Sequence, residues 1–214
     1  MEDSPDGGGM WNHLPTSAMA ATAALAIGAV ALVAPPSDDR AAPSMAGTIE
    51  FDAMPAEFAD MATWALGLFD EAGLALPPMR FEHHGDDTTA CSGWRGAHRS
   101  VDGGSRIDIC TSDPGPTTAA LVLHEMAHAW ASVDLSDQRK EDFQALRGWT
   151  EWSNHADVAW HDNGAEQAAE IMVWGLIDRP VAIVTINDHS CDDLDAGYRV
   201  LTGQAPLHGF RDVC

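Results

Sequence analysis

Apolar residues recur at spacings of three and four positions in three stretches of the chain, which is the pattern of amphipathic helices. The first stretch runs from Pro55 to Leu74. The second surrounds residues 121–131 and follows the start signals Thr117 and Thr118, and the third runs from Ala165 to Ile177. A polar helix is predicted between the last two, near Ser136 to Arg147.

Two short runs between the first and second helices are typical of β-strands. They are Met79 to His84 and Ser105 to Thr111, with the segment from Gly85 to Gly104 as the loop that connects them. Strands followed by helices indicate an α+β fold, in which a small mixed or antiparallel sheet packs on the apolar helices.

The chain before residue 48 differs in composition from the rest. Residues 1–16 are polar, residues 17–34 are uncharged and rich in alanine, and residues 35–47 are a Pro/Ala/Asp linker. The middle segment is long enough to cross a bilayer, so we interpret it as a signal or membrane-anchoring segment, with a buried hydrophobic helix as the alternative. Its acidic leader, without Lys or Arg, is unusual for an export signal. The folded domain is then predicted over 48–214.

Charge and cysteine content narrow the functional classes. The chain carries 11 Lys and Arg against 33 Asp and Glu, a formal net charge of −22 that argues against partners such as nucleic acid and anionic membrane surfaces. The four cysteines lack the Cys-x-x-Cys spacing of a zinc site, and we expect the disulfides Cys91–Cys110 and Cys191–Cys214. Such cysteines indicate an extracytoplasmic protein, either secreted or membrane-anchored.

The segment His124-Glu125-Met126-Ala127-His128 lies within the second apolar helix. The spacing of four places both imidazoles on one helical face, where they can bind a single metal ion. Burying these groups in so apolar a helix would be costly without such a purpose. Zinc in a hydrolase takes about three protein ligands and leaves a position for water, whose proton a neighbouring carboxylate can accept. We therefore expect His124 and His128 to be zinc ligands and Glu125 to be the general base.

Glu166 and Glu170 share a face of the third apolar helix, because they lie four positions apart. Two like charges at this spacing repel, which predicts a cation or a hydrogen-bond donor opposite them. Zinc for one carboxylate and a ligand imidazole for the other would meet this need.

The two motifs together resemble those of the gluzincin branch of zinc metallopeptidases, especially the compact members called minigluzincins. The resemblance rests on the His-Glu-x-x-His segment and on Glu166-Gln167-Ala168-Ala169-Glu170. It implies a zincin-like fold, with Glu166 as the third zinc ligand and Glu170 as the acceptor that orients a ligand histidine. It also implies that the strand ending at Cys110 is an edge strand that pairs with an extended substrate, although an ordinary hairpin is equally compatible with the sequence.

Several other residues are open alternatives. Asp134, six positions after His128, is an alternative metal ligand, but the motif that uses this position needs glycine where Ala131 stands. Candidate donors to the oxyanion or of a proton are His155, His161 and Tyr198. A cationic cluster, which could pair with the protein's own carboxylates or with an acidic substrate, contains Arg95, His98, Arg99 and Arg106. Three tryptophans could form a cleft wall or belong to the core: Trp149, Trp152 and Trp160.

The function predicted from the sequence is a zinc-dependent metallopeptidase, with Zn²⁺ as cofactor and a peptide or protein as substrate. The alternative is a membrane-anchored zinc-binding module without catalysis, closed by a fourth side chain. A third option is an amide or ester hydrolase that uses the same chemistry.

Overall fold

The computed structural model describes residues 48–149, 151–152, 159–179, 186, 189–211 and 214, which belong to one compact unit spanning 41–214. The predicted polar segment 1–16, the signal or membrane segment 17–34 and the linker 35–47 lie outside the described residues. Among the residues described, no helix is long and apolar enough to span a bilayer. The fold is α+β, as the sequence predicted.

The sheet has four strands: β1 (Ile49–Asp52), β2 (Met79–His83), β3 (Gly96–Val101) and β4 (Gly104–Ile109). Their order is β1-β2-β4-β3, with β1, β2 and β4 parallel and β3 antiparallel to β4. The sheet is therefore mixed, with β4 in its interior and β3 at its edge.

This order corrects two predictions made from the sequence. The strand that ends before Cys110 is β4, which is not an edge strand, because β3 and β2 flank it. The predicted loop from Gly85 to Gly104 contains β3, whose residues Gly-Ala-His-Arg-Ser-Val include only one β-branched residue and so give a weak strand signal. A turn at Asp102-Gly103 joins β3 to β4, and Gly103 adopts the left-handed region with φ of 83°.

The described part of the chain contains five α-helices. They are α1 (Ala56–Glu71), α2 (Pro116–Asp134), α3 (Asp137–Arg147), α4 (Gly164–Leu176) and α5 (Cys191–Thr202), of which α2 packs on the sheet. The first four agree with the hydrophobic pattern to within a few residues at each end, and α5 was not predicted. A 3-10 turn, Trp160–Asp162, precedes α4.

Helix α2 lies at the centre of the domain, in contact with α1, β3, β4 and α4. Helix α4 is buried on nearly all sides, which explains why its sequence is apolar around the whole circumference. The core side of the sheet is formed by alternate strand residues such as Phe81 and Ile107, both fully buried. The core of the domain thus fixes α2 and α4, the two helices that carry the predicted ligands, against each other.

Both predicted disulfides are confirmed by the sulfur positions. Cys91 pairs with Cys110 and Cys191 with Cys214, at S–S distances of 2.04 and 2.20 Å. The first joins the segment before β3 to the end of β4, and the second fastens the chain end to the start of α5. Two such bonds are compatible with an extracytoplasmic location.

Candidate metal centre

Three predicted ligand atoms converge between α2 and α4. The Nε2 atoms of His124 and His128, one helical turn apart, lie 3.1 Å from each other. Oε2 of Glu166, in the first turn of α4, lies 3.1 Å from the first of these nitrogens and 3.3 Å from the second. Asn163 caps α4 by accepting a hydrogen bond from the Ala165 N–H, and so fixes where the turn bearing Glu166 begins.

The triangle formed by these atoms has the size of one face of a tetrahedral zinc site. With zinc–ligand bonds of about 2.0–2.1 Å, neighbouring ligand atoms in a tetrahedron lie about 3.3 Å apart. The observed separations are 3.1 to 3.3 Å, and all three side chains are buried or half-buried. The donor set of two imidazoles and one carboxylate therefore fits zinc.

Electrostatics within the cluster favour cationic partners for its carboxylates. Burial alone would raise the pKa of Glu166, but hydrogen bonds from His124 and His128 outweigh it and hold this pKa well below its usual range. Burial alone would lower the pKa of His124, but Glu166 and Glu170 outweigh it and raise this pKa well above its ordinary value. A bound cation would take the place of the proton that these carboxylates now attract to the imidazole.

Glu170 lies behind His124, on the side away from the ligand triangle. Its Oε1 is 2.9 Å from the His124 Nδ1, a close ionic contact in which the N–H does not point directly at the oxygen. The carboxylate is almost fully buried. This is the position expected of a group that fixes the tautomer of a ligand histidine.

Glu125 follows His124 on α2 but lies outside the ligand triangle. Only 5% of it is exposed, and burial raises the pKa of its carboxyl group despite the opposing effect of the two nearby histidines. Its carboxylate lies against the start of the edge strand, since a β-carbon added at Gly96 would be 2.8 Å from the Glu125 Oε1. The candidate base is therefore held between α2 and β3.

Two aromatic rings cover the candidate ligand histidines: that of Trp160, which the sequence offered as a cleft wall or core residue, and that of His98, which the sequence did not place at the site. The ring of Trp160 is stacked on His124, and the ring of His98 is stacked on His128, each with centroids 6.2 Å apart. His98 also contacts the Ser105 hydroxyl at 3.0 Å, and burial with the nearby His128 lowers its pKa to about 4. It is thus a neutral wall of the site, whereas the sequence placed it in a cationic cluster. The other two predicted wall residues, Trp149 and Trp152, pack on the core residue Phe143.

The remaining candidates lie elsewhere. Helix α2 continues without a break through Ala131, so Asp134 is exposed at the helix end, about 9 Å along the axis from His128, and does not join the ligand group. His155 lies outside the described residues, as does the side chain of His161. Tyr198 is fully buried in the core, which favours a structural role over the oxyanion role.

A second group of potential ligands, Glu82, His84 and Asp108, lies on the outer face of the sheet. Its charges are already balanced within the protein, because the guanidinium groups of Arg99 and Arg106 both contact the buried Asp108 carboxylate. The His84 Nε2 lies 2.7 Å from the same carboxylate. The cationic cluster predicted from the sequence is thus largely self-paired, and we interpret this face as a structural ion network.

Comparison with known protein families, characterised proteins and solved structures finds no match for this chain.

Proposed function

We propose that this protein is a zinc-dependent peptidase of the gluzincin type. The observation that carries the proposal is the convergence of His124 Nε2, His128 Nε2 and Glu166 Oε2 at 3.1 to 3.3 Å, with a second carboxylate, Glu125, close to both histidines. Bound at this triangle, zinc would supply a Lewis acid that polarises a carbonyl group and makes a water molecule more acidic. This combination is suited to amide hydrolysis.

Each side chain then has a role in the reaction. The metal would be held by His124, His128 and Glu166. Glu170, next to the His124 Nδ1, would keep that ring in the tautomer whose Nε2 lone pair faces the metal. Glu125 accepts the proton of the attacking water and transfers it to the leaving amine. Its burial between α2 and β3 keeps the carboxylate in one position during both transfers.

Strand β3 supports an extended peptide as the substrate. The Cys110 N–H donates to the Arg95 carbonyl at 2.7 Å, so these two residues form a hydrogen-bonded pair in the antiparallel ladder. Bonded residues alternate along such a ladder, and the main-chain groups of Gly96, His98 and Ser100 therefore point to the free edge. A substrate strand that pairs with this edge would pass beside Glu125 and the ligand histidines. The edge role expected of the strand ending at Cys110 thus moves to β3.

The cellular setting proposed for this activity is outside the cytoplasm, with the protein secreted or anchored by residues 17–34. Its support is the pair of disulfides, since such bonds persist in oxidising compartments.

The decisive experiment compares the full-length protein with its Glu125→Gln variant for zinc content and for cleavage of a mixed peptide library. We expect about one zinc per chain in both proteins, and a loss of kcat of about 10²- to 10⁴-fold in the variant. Glu141→Gln, at an exposed position on α3, is the matched control and should behave like the parent.

Two results would contradict the proposal. A parent protein that binds zinc but cleaves no peptide would be the non-catalytic module instead. A Glu125→Gln variant as active as the parent would show that another group is the base.

A further inference from the structure

Gly96 occupies a position where any side chain would collide with the candidate base. A β-carbon there would lie 2.8 Å from the Glu125 Oε1 and 3.0 Å from the Leu121 Cδ1. Ordinary contacts of a carbon atom are longer, at about 3.5–4.0 Å. The first residue of the edge strand is therefore packed directly on the carboxylate.

The backbone conformation does not explain this glycine. Gly96 is not among the positive-φ glycines, so its φ is one that any residue can adopt. Glycine within a strand is less stable than alanine, because its backbone loses more conformational freedom when the protein folds. The remaining explanation is space, since a glycine in a strand often marks the close approach of another group.

The backbone segments on both sides of this contact are held in place, so only a side chain can give way. Glu125 is almost fully buried and lies on α2, which contacts β3 along its length as well as α1 and α4. The strand is bound to β4 on its other side, and the Cys91–Cys110 disulfide holds the segment that leads into it. An added methyl group would therefore act mainly on the end of the Glu125 side chain, its nearest contact.

We propose that Gly96 is a positioning residue: its missing side chain creates the space that holds the Glu125 carboxylate in its working position beside the ligand histidines. The inference deepens the proposed peptidase function and rests on it. Gly96 does not touch the reacting atoms through a side chain, and it acts through Glu125. Its effect should therefore fall on the chemical step.

The size of the effect follows from the contact distances. To restore an ordinary separation from a β-carbon at 2.8 Å, the carboxylate must retreat by about 0.7–1.2 Å. A misplacement of 1 Å in a catalytic group can lower the rate by about 10²-fold. We expect Gly96→Ala to reduce kcat by about 30- to 100-fold, with KM within threefold of the parent. Zinc content should be unchanged, because the three atoms nearest to the added carbon belong to Glu125 and Leu121 and not to a candidate ligand.

A second substitution tests which neighbour transmits the effect. Glu125→Asp shortens the side chain by one methylene, so it should cost activity in the parent but cost little further, or restore activity, in Gly96→Ala. Leu121→Ala should not restore activity in Gly96→Ala if the carboxylate is the group displaced. Gly67→Ala is the control, because a β-carbon at Gly67 meets nothing within 4 Å.

The crystal structure of Gly96→Ala, solved with zinc bound, separates this inference from the proposed function. A Glu125 carboxylate displaced by about 1 Å, on an otherwise unchanged fold, supports the inference even if the parent cleaves no peptide and the peptidase proposal fails. A carboxylate in its original place, with Leu121 or the strand displaced instead, overturns it. So does a folded, zinc-bound Gly96→Ala variant with the kcat of an active parent.

Discussion

Two substitutions of Glu170 should weaken zinc binding to different extents. Glu170 lies 2.9 Å from the His124 Nδ1 and is almost fully buried, so it is well placed to fix the orientation of that ring. Glu170→Gln keeps an oxygen acceptor of the same size but removes its charge. Because a hydrogen bond to a charged group contributes about 1 kcal/mol more than a neutral one, we expect zinc affinity to fall about fivefold. Glu170→Ala removes the acceptor altogether, and a 10- to 100-fold loss is expected.

The assay is competition for zinc against a chromogenic chelator at neutral pH, with Glu141→Gln on α3 as the matched exposed control. Thermal unfolding in the presence of EDTA reports separately on the metal-free fold. An affinity of the Glu170→Ala variant within threefold of the parent would refute the reasoning, because it would show that the His124 ring is oriented without the carboxylate. Equal losses in the two variants would show that the charge alone matters.

Two further predictions concern the fold around the site. Gly175→Ala would place a β-carbon 2.1 Å from the ring of Tyr198, which is fully buried. Unfolding in urea should therefore show that this variant is destabilised by about 3 kcal/mol. The control Gly67→Ala should change the free energy of unfolding by no more than about 1 kcal/mol. Asp108→Asn leaves two guanidinium groups and an imidazole without their shared buried partner and should destabilise the protein by about 3–5 kcal/mol with unchanged zinc content. A loss of zinc in this variant would instead assign metal binding to the outer face of the sheet.

The helices that carry the candidate ligands could be predicted from the sequence because each has a strong local signal. Apolar periodicity and start signals indicated α2 and α4 to within a few residues. The edge strand β3 could not be predicted in this way, since its pairing with β4 creates the strand and its own residues favour it only weakly. Helix α5 was missed although its sequence carries start signals, namely the Ser190–Asp193 capping box and acidic residues in the first turn.

The residues that complete the site depend on contacts between distant segments. Gly96, His98 and Trp160 are brought to α2 by the edge strand and by the 3-10 turn before α4. A lone glycine or histidine in a weak strand has no spacing that connects it with a helix some 25 residues further on. The motif therefore predicted the residues that would hold a metal, and tertiary structure was needed to find those that surround it.

The Cys91–Cys110 bond also makes the order of the edge strand depend on the oxidation of two cysteines. It closes a loop with a sequence separation of 19, which contains all of β3 and all of β4. Without the bond, ordering this loop would require about 3 kcal/mol more conformational entropy. A chain with free thiols would therefore hold the edge strand more loosely. For a peptidase of the kind proposed, competence for cleavage would then depend on oxidation of these two cysteines.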